Sequence, residues 1–335
     1  MTRGYQALQE GAAYLDLSQR GKIFMTAEDR ARLLHAMTTN YVQQLRPGEG
    51  CYAFFLSAQG RILGDANLFC LEGRFLLDVE PETRERLYQH LNRFIIADDV
   101  TLEDATEALC AIGLEGPKAQ EVMAAMGAPP PEELYSHLPW DTRIVTHVSF
   151  TGAPGYRIFA PAEEVTELIR QLGAAGAVAA PSDPESARVV RIEHARPRYG
   201  EDVFDTTLAM ETQQNRALHF SKGCYLGQEI VERVRSRGHV NRVLVGLEID
   251  SMQPPAPGTI LTLEGNEVGK ITSASFSWVV RKVVGMAYVR AQHAAPKTVL
   301  MADGSAAITT PLAAPLQVSE TVEATGAGSA GRRCR

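Results

Sequence analysis

The stretch Lys222-Gly223-Cys224-Tyr225-Leu226-Gly227-Gln228-Glu229 places one cysteine between two glycines and ahead of a run of helix formers. The glycines leave the backbone free to turn tightly, and Gln228-Glu229-Ile230-Val231-Glu232-Arg233 continues as a helix from Gly227. The Cys224 thiol then lies just before a helix N-terminus and beside the Lys222 ammonium. Both put positive potential near sulfur and favour the thiolate. From the residues alone two readings stand, a reactive cysteine or a cysteine packed in a glycine-rich turn.

Upstream, residues 21–25 read as a strand, and Thr26 with Asp29 resembles a capping box opening a helix over 27–37. Residues 51–57 and 61–71 are apolar runs joined through Ala58-Gln59-Gly60, a hairpin pattern, and 75–79 is a third strand. Pro81 stands where a first helical residue would, before a helix with Leu87, Leu91, Phe94 and Ile95 on its core face. Strands over 108–114, 143–150 and 156–160 follow, with helices over 116–126, 162–172 and 185–194 between and after them. This irregular alternation with hairpins predicts an α+β fold rather than a doubly wound parallel sheet. After Gly238 the chain reads as short strands every ten or so residues, which predicts a separate all-β barrel. The expected domains are a bilobal region over 1–238, its second lobe roughly 51–180, a barrel over 239–320 and a disordered tail over 321–335.

With 335 residues, 45% hydrophobic and 22% charged, the chain is long enough for two or three cores. A formal charge of −7 argues against a protein that grips nucleic-acid phosphates directly. The first residues carry no charged-then-apolar signal pattern, and no apolar run approaches the roughly 18 residues of a membrane span. A cytoplasmic protein without membrane contact is expected. The five cysteines, Cys51, Cys70, Cys110, Cys224 and Cys334, are odd in number and never arranged as Cys-x-x-Cys. They give no disulfide framework and no closed metal site. Cys51 and Cys70 fall in strand-like apolar runs and read as packing.

The octapeptide resembles the Lys-Gly-Cys-aromatic-x-Gly-Gln-Glu motif of the YgfZ family of folate-binding iron–sulfur assembly proteins. The resemblance extends along the chain. Asp16-Leu17-Ser18 with Gly21-Lys22-Ile23 is similar to the opening strand of the wider GcvT superfamily, which includes the aminomethyltransferase T-protein of glycine cleavage. Leu114-Glu115-Gly116-Pro117-Lys118-Ala119 resembles its mid-chain helix start, and Arg191-Ile192-Glu193 with Pro197-Arg198-Tyr199-Gly200 its pterin-side segment. Arg237-Gly238-His239-Val240-Asn241-Arg242 leads into the barrel as in YgfZ-like chains. The resemblance implies a three-domain cloverleaf, two ferredoxin-like lobes and a C-terminal barrel around a central channel for tetrahydrofolate or a one-carbon derivative. It gives Glu193 the pterin edge, where a carboxylate accepts two parallel N–H bonds, and places Lys222, Tyr199 and Arg233 at the folate. Arg233, Arg235 and Arg237 with His239 and Arg242 meet the folate glutamate tail or an acidic or RNA partner, or form a solvated face paired with Glu229 and Glu232.

T-proteins carry an aspartate near the reacting folate nitrogen, and the resemblance sets Arg86 of Glu82-Thr83-Arg84-Glu85-Arg86-Leu87 in its place. A cation cannot take over that proton handling. Two functions follow. In the first, the chain supports assembly or repair of iron–sulfur (4Fe–4S) proteins, tRNA-modifying enzymes among the expected clients, with Cys224 contacting cluster, iron or partner thiol transiently. In the second, it is a folate-dependent aminomethyl- or one-carbon transferase of the T-protein type.

Overall fold

A computed structural model describes residues 1–179, 184–238 and 240–312. Along the chain come α1 (Arg3–Glu10), β1 (Ala13–Asp16), β2 (Gly21–Thr26), α2 (Arg30–Met37), β3 (Gly50–Leu56), β4 (Ile62–Leu71), β5 (Arg74–Val79), α3 (Arg84–Phe94) and β6 (Thr101–Asp104). β7 (Leu109–Glu115), α4 (Ala119–Ala125), β8 (His137–Trp140), β9 (Arg143–Thr146), β10 (Gly155–Pro161), α5 (Val165–Ala174), β11 (Val178–Ala179), α6 (Pro184–Glu193) and α7 (Gln228–Arg237) follow. The last strands are β12 (Arg242–Ile249), β13 (Ile260–Leu263), β14 (Asn266–Ser277), β15 (Lys282–Arg290), β16 (Val299–Ala302) and β17 (Ser305–Thr310).

The strands form three sheets, in agreement with the expected α+β architecture. One sheet runs β3-β4-β5-β2-β6, a second β11-β1-β7-β10-β9-β8, and β12-β15-β14-β13-β16-β17 close into a barrel. Residues 51–180 contribute strands to both open sheets, and β1 lies inside the second, antiparallel to β7 and parallel to β11. The hairpin through Ala58-Gln59-Gly60 forms as the pattern predicts, with β3 antiparallel to β4. Its two faces divide the work. Ala66 and Leu68 join the core with Leu87 and Leu91 of α3, while Asp65 and Asn67, on the alternate face, point away from that core. Among the described residues no helix is long and apolar enough to cross a membrane.

Two helix starts differ from expectation. α2 begins at Arg30, because Ala27 turns through φ 76° and Asp29 is drawn off its capping role. The Asp29 carboxylate accepts instead from Asp99 N at 2.9 Å and Arg32 Nε at 3.1 Å. α4 begins at Ala119 rather than Gly116, since Gly116 has φ 122° and a Cβ there would stand 2.5 Å from the Gly11 carbonyl. Residues 313–320 of the expected barrel, the tail over 321–335, Cys334 and His239 lie outside the described residues.

The three sheets converge on a buried ionic chain. Asp78 at the end of β5 is fully buried and accepts from Arg20 Nε at 2.6 Å, from Asn67 Nδ2 at 2.9 Å and from Arg157 of β10. Arg20 also donates to Glu80, whose second oxygen takes Arg198 Nε at 2.9 Å. The Arg198 backbone N–H donates to Asp202 at 3.1 Å, and Asp202 accepts from Arg191 at 2.7 Å and from Thr272 and Ser273 of the barrel at 2.7 and 2.6 Å. Against the pull of burial, Arg157 and Arg20 hold the Asp78 carboxyl below its ordinary pKa.

Asp78→Asn is therefore expected to cost about 3–5 kcal/mol, because it leaves the buried Arg157 guanidinium without its carboxylate and Arg20 with Glu80 alone. Urea unfolding at neutral pH measures the loss. Since the folded pKa of Asp78 is depressed, its contribution is complete above the ordinary carboxylate range and disappears as pH falls through the folded value. The gap between wild type and variant should narrow accordingly in acid.

Candidate functional site

A cleft of about 370 Å³ opens where the three sheets meet, lined by Leu15, Leu17, Pro81, Phe150 and Ala187 with Arg188, Arg191, Arg198, Glu80 and Glu201. It leads into an inner chamber of about 50 Å³ that shares Arg20, Glu80, Phe150, Arg191 and Arg198 and adds Tyr52, Asp65, Asn67, Arg157, Arg196 and Arg216. β3 and β4 bring in Tyr52, Asp65 and Asn67 from the face opposite α3, and α6 supplies Arg188 and Arg191 one turn apart.

Asp65 is the distinctive group. Its Oδ2 accepts from Tyr52 Oη at 2.6 Å, while Oδ1 is buried with no hydrogen-bond partner. Burial, and then the nearby Glu80 carboxylate, push its pKa up to about 6. A carboxyl poised near neutrality and aimed into a cleft is suited to take up or give back a proton. The residues read as candidates from the sequence did not include Asp65. The signal was present: one acid inside the apolar run 61–71, sharing a strand face with Asn67.

Arg86, read as standing where a transfer enzyme has its aspartate, lies outside the cleft. Its Nη1 donates to Tyr199 Oη at 2.6 Å and to Leu63 O at 3.3 Å, and Asp205 is 3.8 Å away. The carboxylate in the chamber comes from strand β4, so the cation on α3 displaces nothing. Tyr199 is buried and held by Arg86 rather than lining the cleft.

Glu193 ends α6 on another side. Its carboxylate accepts from Tyr5 Oη and from Gln9 Nε2, the latter at 2.6 Å, and lines a pocket of about 350 Å³ between α6 and the barrel, with Ser277, Val279 and Val284.

The Lys222–Glu229 stretch docks on the end of α2. Lys222 is buried, its Nζ donating to the carbonyls of His35 and, at 2.5 Å, Thr38, with the Tyr225 ring 4.7 Å away. An ammonium thus caps the open carbonyls of a helix C-terminus. Burial pushes its pKa down to about 7. Gly227 adopts φ 84°, and a Cβ there would lie 2.6 Å from the Ser57 carbonyl, so the loop rests directly on the β3–β4 hairpin. Gln228 opens α7 and Glu229 is exposed on its first turn. Cys224 is exposed and lines neither cleft nor chamber. Arg233 is exposed on α7; Arg235 lies 3.6 Å from Glu232, and Arg242 donates to Glu211 at 3.1 Å. Among the described residues no group of three or more His, Cys, Asp or Glu side chains could hold a metal ion.

Residues 1–222 match the GCVT N-terminal domain and residues 242–310 the glycine cleavage T-protein C-terminal barrel domain. A putative chloroplastic transferase of Arabidopsis thaliana is 28% identical over 295 residues, covering 86% of this chain and 67% of that protein. An aminomethyltransferase of Rubrobacter xylanophilus is 27% identical over 294 residues, covering 85% and 78%. The crystal structure of the glycine cleavage system aminomethyltransferase T from Bartonella henselae superposes with a TM-score of 0.83 at 22% identity, covering 92% of this chain and 87% of that one.

Because folding raises the Asp65 pKa, its ionised form is disfavoured in the native state. The penalty is absent below about pH 4, grows up to about 6 and is complete above it. Asp65→Asn should accordingly stabilise the protein at pH 7.5, by about 1–2 kcal/mol after the weakened Tyr52 bond is subtracted. The gain should vanish at pH 4 in parallel urea titrations.

Proposed function

The chain belongs to the GCVT N-terminal domain family, and from that premise we propose that it is a tetrahydrofolate-dependent one-carbon transferase of the aminomethyltransferase type, working in the cleft around Asp65. The observation that carries this reading is the Asp65 carboxyl, buried on one oxygen, unpartnered there and poised near pH 6. The lining suits folate. Leu15, Leu17, Pro81 and Phe150 offer apolar surface to its rings, and Asp65 has a free acceptor for a ring or amine N–H. When bound, tetrahydrofolate supplies the nitrogen that takes up the one-carbon unit. Tyr52 orients the Asp65 carboxylate through its hydroxyl, and Asp65 holds or removes the proton that must leave the reacting nitrogen. Phe150, Arg20, Arg191 and Arg198 line both the cleft and the chamber.

The test is to mix the protein with tetrahydrofolate and an aminomethyl-lipoyl carrier and follow formation of methylene-tetrahydrofolate. Turnover is expected, with kcat/KM rising through about pH 6. Asp65→Asn should lower the rate by about 10²–10⁴-fold and abolish the acidic limb; an unchanged rate and pH profile would remove Asp65 from the reaction. Calorimetry separates the two carboxylates that could read the pterin. The cleft reading expects Asp65→Asn to weaken tetrahydrofolate binding by about 1.5–3 kcal/mol, and Glu193→Ala to leave it within about threefold, because Glu193 lines the barrel-side pocket and neither the cleft nor the chamber.

A second reading, iron–sulfur cluster maintenance of the YgfZ type, is favoured by one observation: the Cys224 thiol is exposed on a loop anchored by buried Lys222, outside the cleft. It expects Cys224→Ala to lose rescue of iron–sulfur enzyme activity in a deletion strain while folate affinity is unchanged. Full rescue by the alanine variant sets this reading aside.

A further inference from the structure

The inner chamber carries more positive charge than its own acids balance. Six arginines line it, Arg20, Arg157, Arg191, Arg196, Arg198 and Arg216. Four are in ion pairs: Arg20 and Arg157 with Asp78, Arg191 with Asp202, and Arg198 with Glu80 and Glu82. Arg196 and Arg216 have no carboxylate partner among the described residues. Arg216 has Nε and Nη1 buried without an acceptor, and its guanidinium is held over the Tyr52 ring at 4.7 Å. Arg196 reaches only the Ser149 carbonyl, at 3.4 Å from Nη2. Burial, and then the charge of Arg216, lower the Arg196 pKa to about 10, as two like charges facing one small space should.

A buried N–H without an acceptor costs about 1–3 kcal/mol, so the Arg216 guanidinium, left in this state beside an Arg196 that has only a carbonyl for a partner, points to a ligand that supplies the acceptors. The planar fork of arginine matches a carboxylate. The chamber, at about 50 Å³, suits a carboxylate-sized group. Tyr52 joins the two halves: its ring carries Arg216 and its hydroxyl holds Asp65. The carboxylate and the amine of an amino acid match the two kinds of group that share this lining, the arginines and the free oxygen of Asp65.

We propose that Arg196 and Arg216 form a carboxylate-binding subsite for a small amino-acid substrate whose amine is presented to Asp65. This rests on reading the cleft as a one-carbon transfer site and adds its substrate class, a free zwitterion with its own carboxylate in place of an aminomethyl group carried on a lipoyl arm. The folate glutamate is the other source of a carboxylate, and the experiment separates the two.

Calorimetry on the full chain, with and without saturating tetrahydrofolate, would titrate glycine, N,N-dimethylglycine and glycine betaine against their amides. At least one acid is expected to bind tenfold or more tightly than its amide. Arg216→Met should weaken that acid at least tenfold, Arg216→Lys should restore part of the loss, and tetrahydrofolate affinity should stay within twofold in both. No acid binding better than its amide, or an acid affinity indifferent to Arg216→Met, overturns the subsite. So does a loss of affinity for tetrahydrofolate but not for tetrahydropteroate in Arg216→Met, which would assign the carboxylate to folate itself. If tetrahydrofolate fails to bind wild type, the transfer reading falls, while the comparison of acid with amide on the free protein still decides the subsite.

Discussion

Asp78 is the point through which the three sheets are joined. It lies at the end of a strand of one open sheet, receives an arginine from the other, and through Arg20, Glu80, Arg198 and Asp202 is linked to the middle of a barrel strand. Buried ion pairs contribute little net stability compared with apolar packing, yet removing one partner is costly. Such a chain therefore fixes how the lobes sit more than how strongly they hold. It also surrounds the cleft, so the group that sets the geometry of the lobes sets the walls of the site. Asp65, with one oxygen free, and Arg216 stand beside this chain of ion pairs without belonging to it.

The architecture was legible wherever periodicity and turn chemistry agreed. The β3–β4 hairpin, the apolar stripe of α3 and the short barrel strands follow from local pattern. The site was legible only in part. Cys224 and Lys222 announce themselves by their glycine-rich setting, while Arg157 and Arg216 act through partners far off in the chain. Arg157 lies 79 residues from Asp78, and no local pattern encodes that pairing. Asp65 was within reach, because a lone acid on an alternating strand face has few bland explanations. Arg86, weighed by its position along the chain, lies outside the cleft, and the carboxyl that does line the chamber comes from a different element, strand β4.

The exposed thiol and the cleft are separate yet mechanically connected. Lys222 closes the end of α2, and Gly227 brings the loop against the carbonyl of Ser57, in the turn between Tyr52 and Asp65. A side chain at Gly227 would push on the hairpin that carries the acid of the site. The Cys224 loop and the chamber thus share one rigid element, whatever each of them binds.

The place of β1 has a consequence for synthesis. Ala13 and Tyr14 pair with Val178 and Ala179, and on their other side with β7. On a ribosome the first strand must wait for β7 to cover one edge and, until more than half of the chain has emerged, for β11 to cover the other, whereas β2 to β6 can assemble among themselves. The five-stranded sheet is the natural early unit, and the six-stranded sheet closes around a strand made long before its neighbours. During that interval β1 is the segment with most to gain from a chaperone and most to lose to a neighbouring nascent chain.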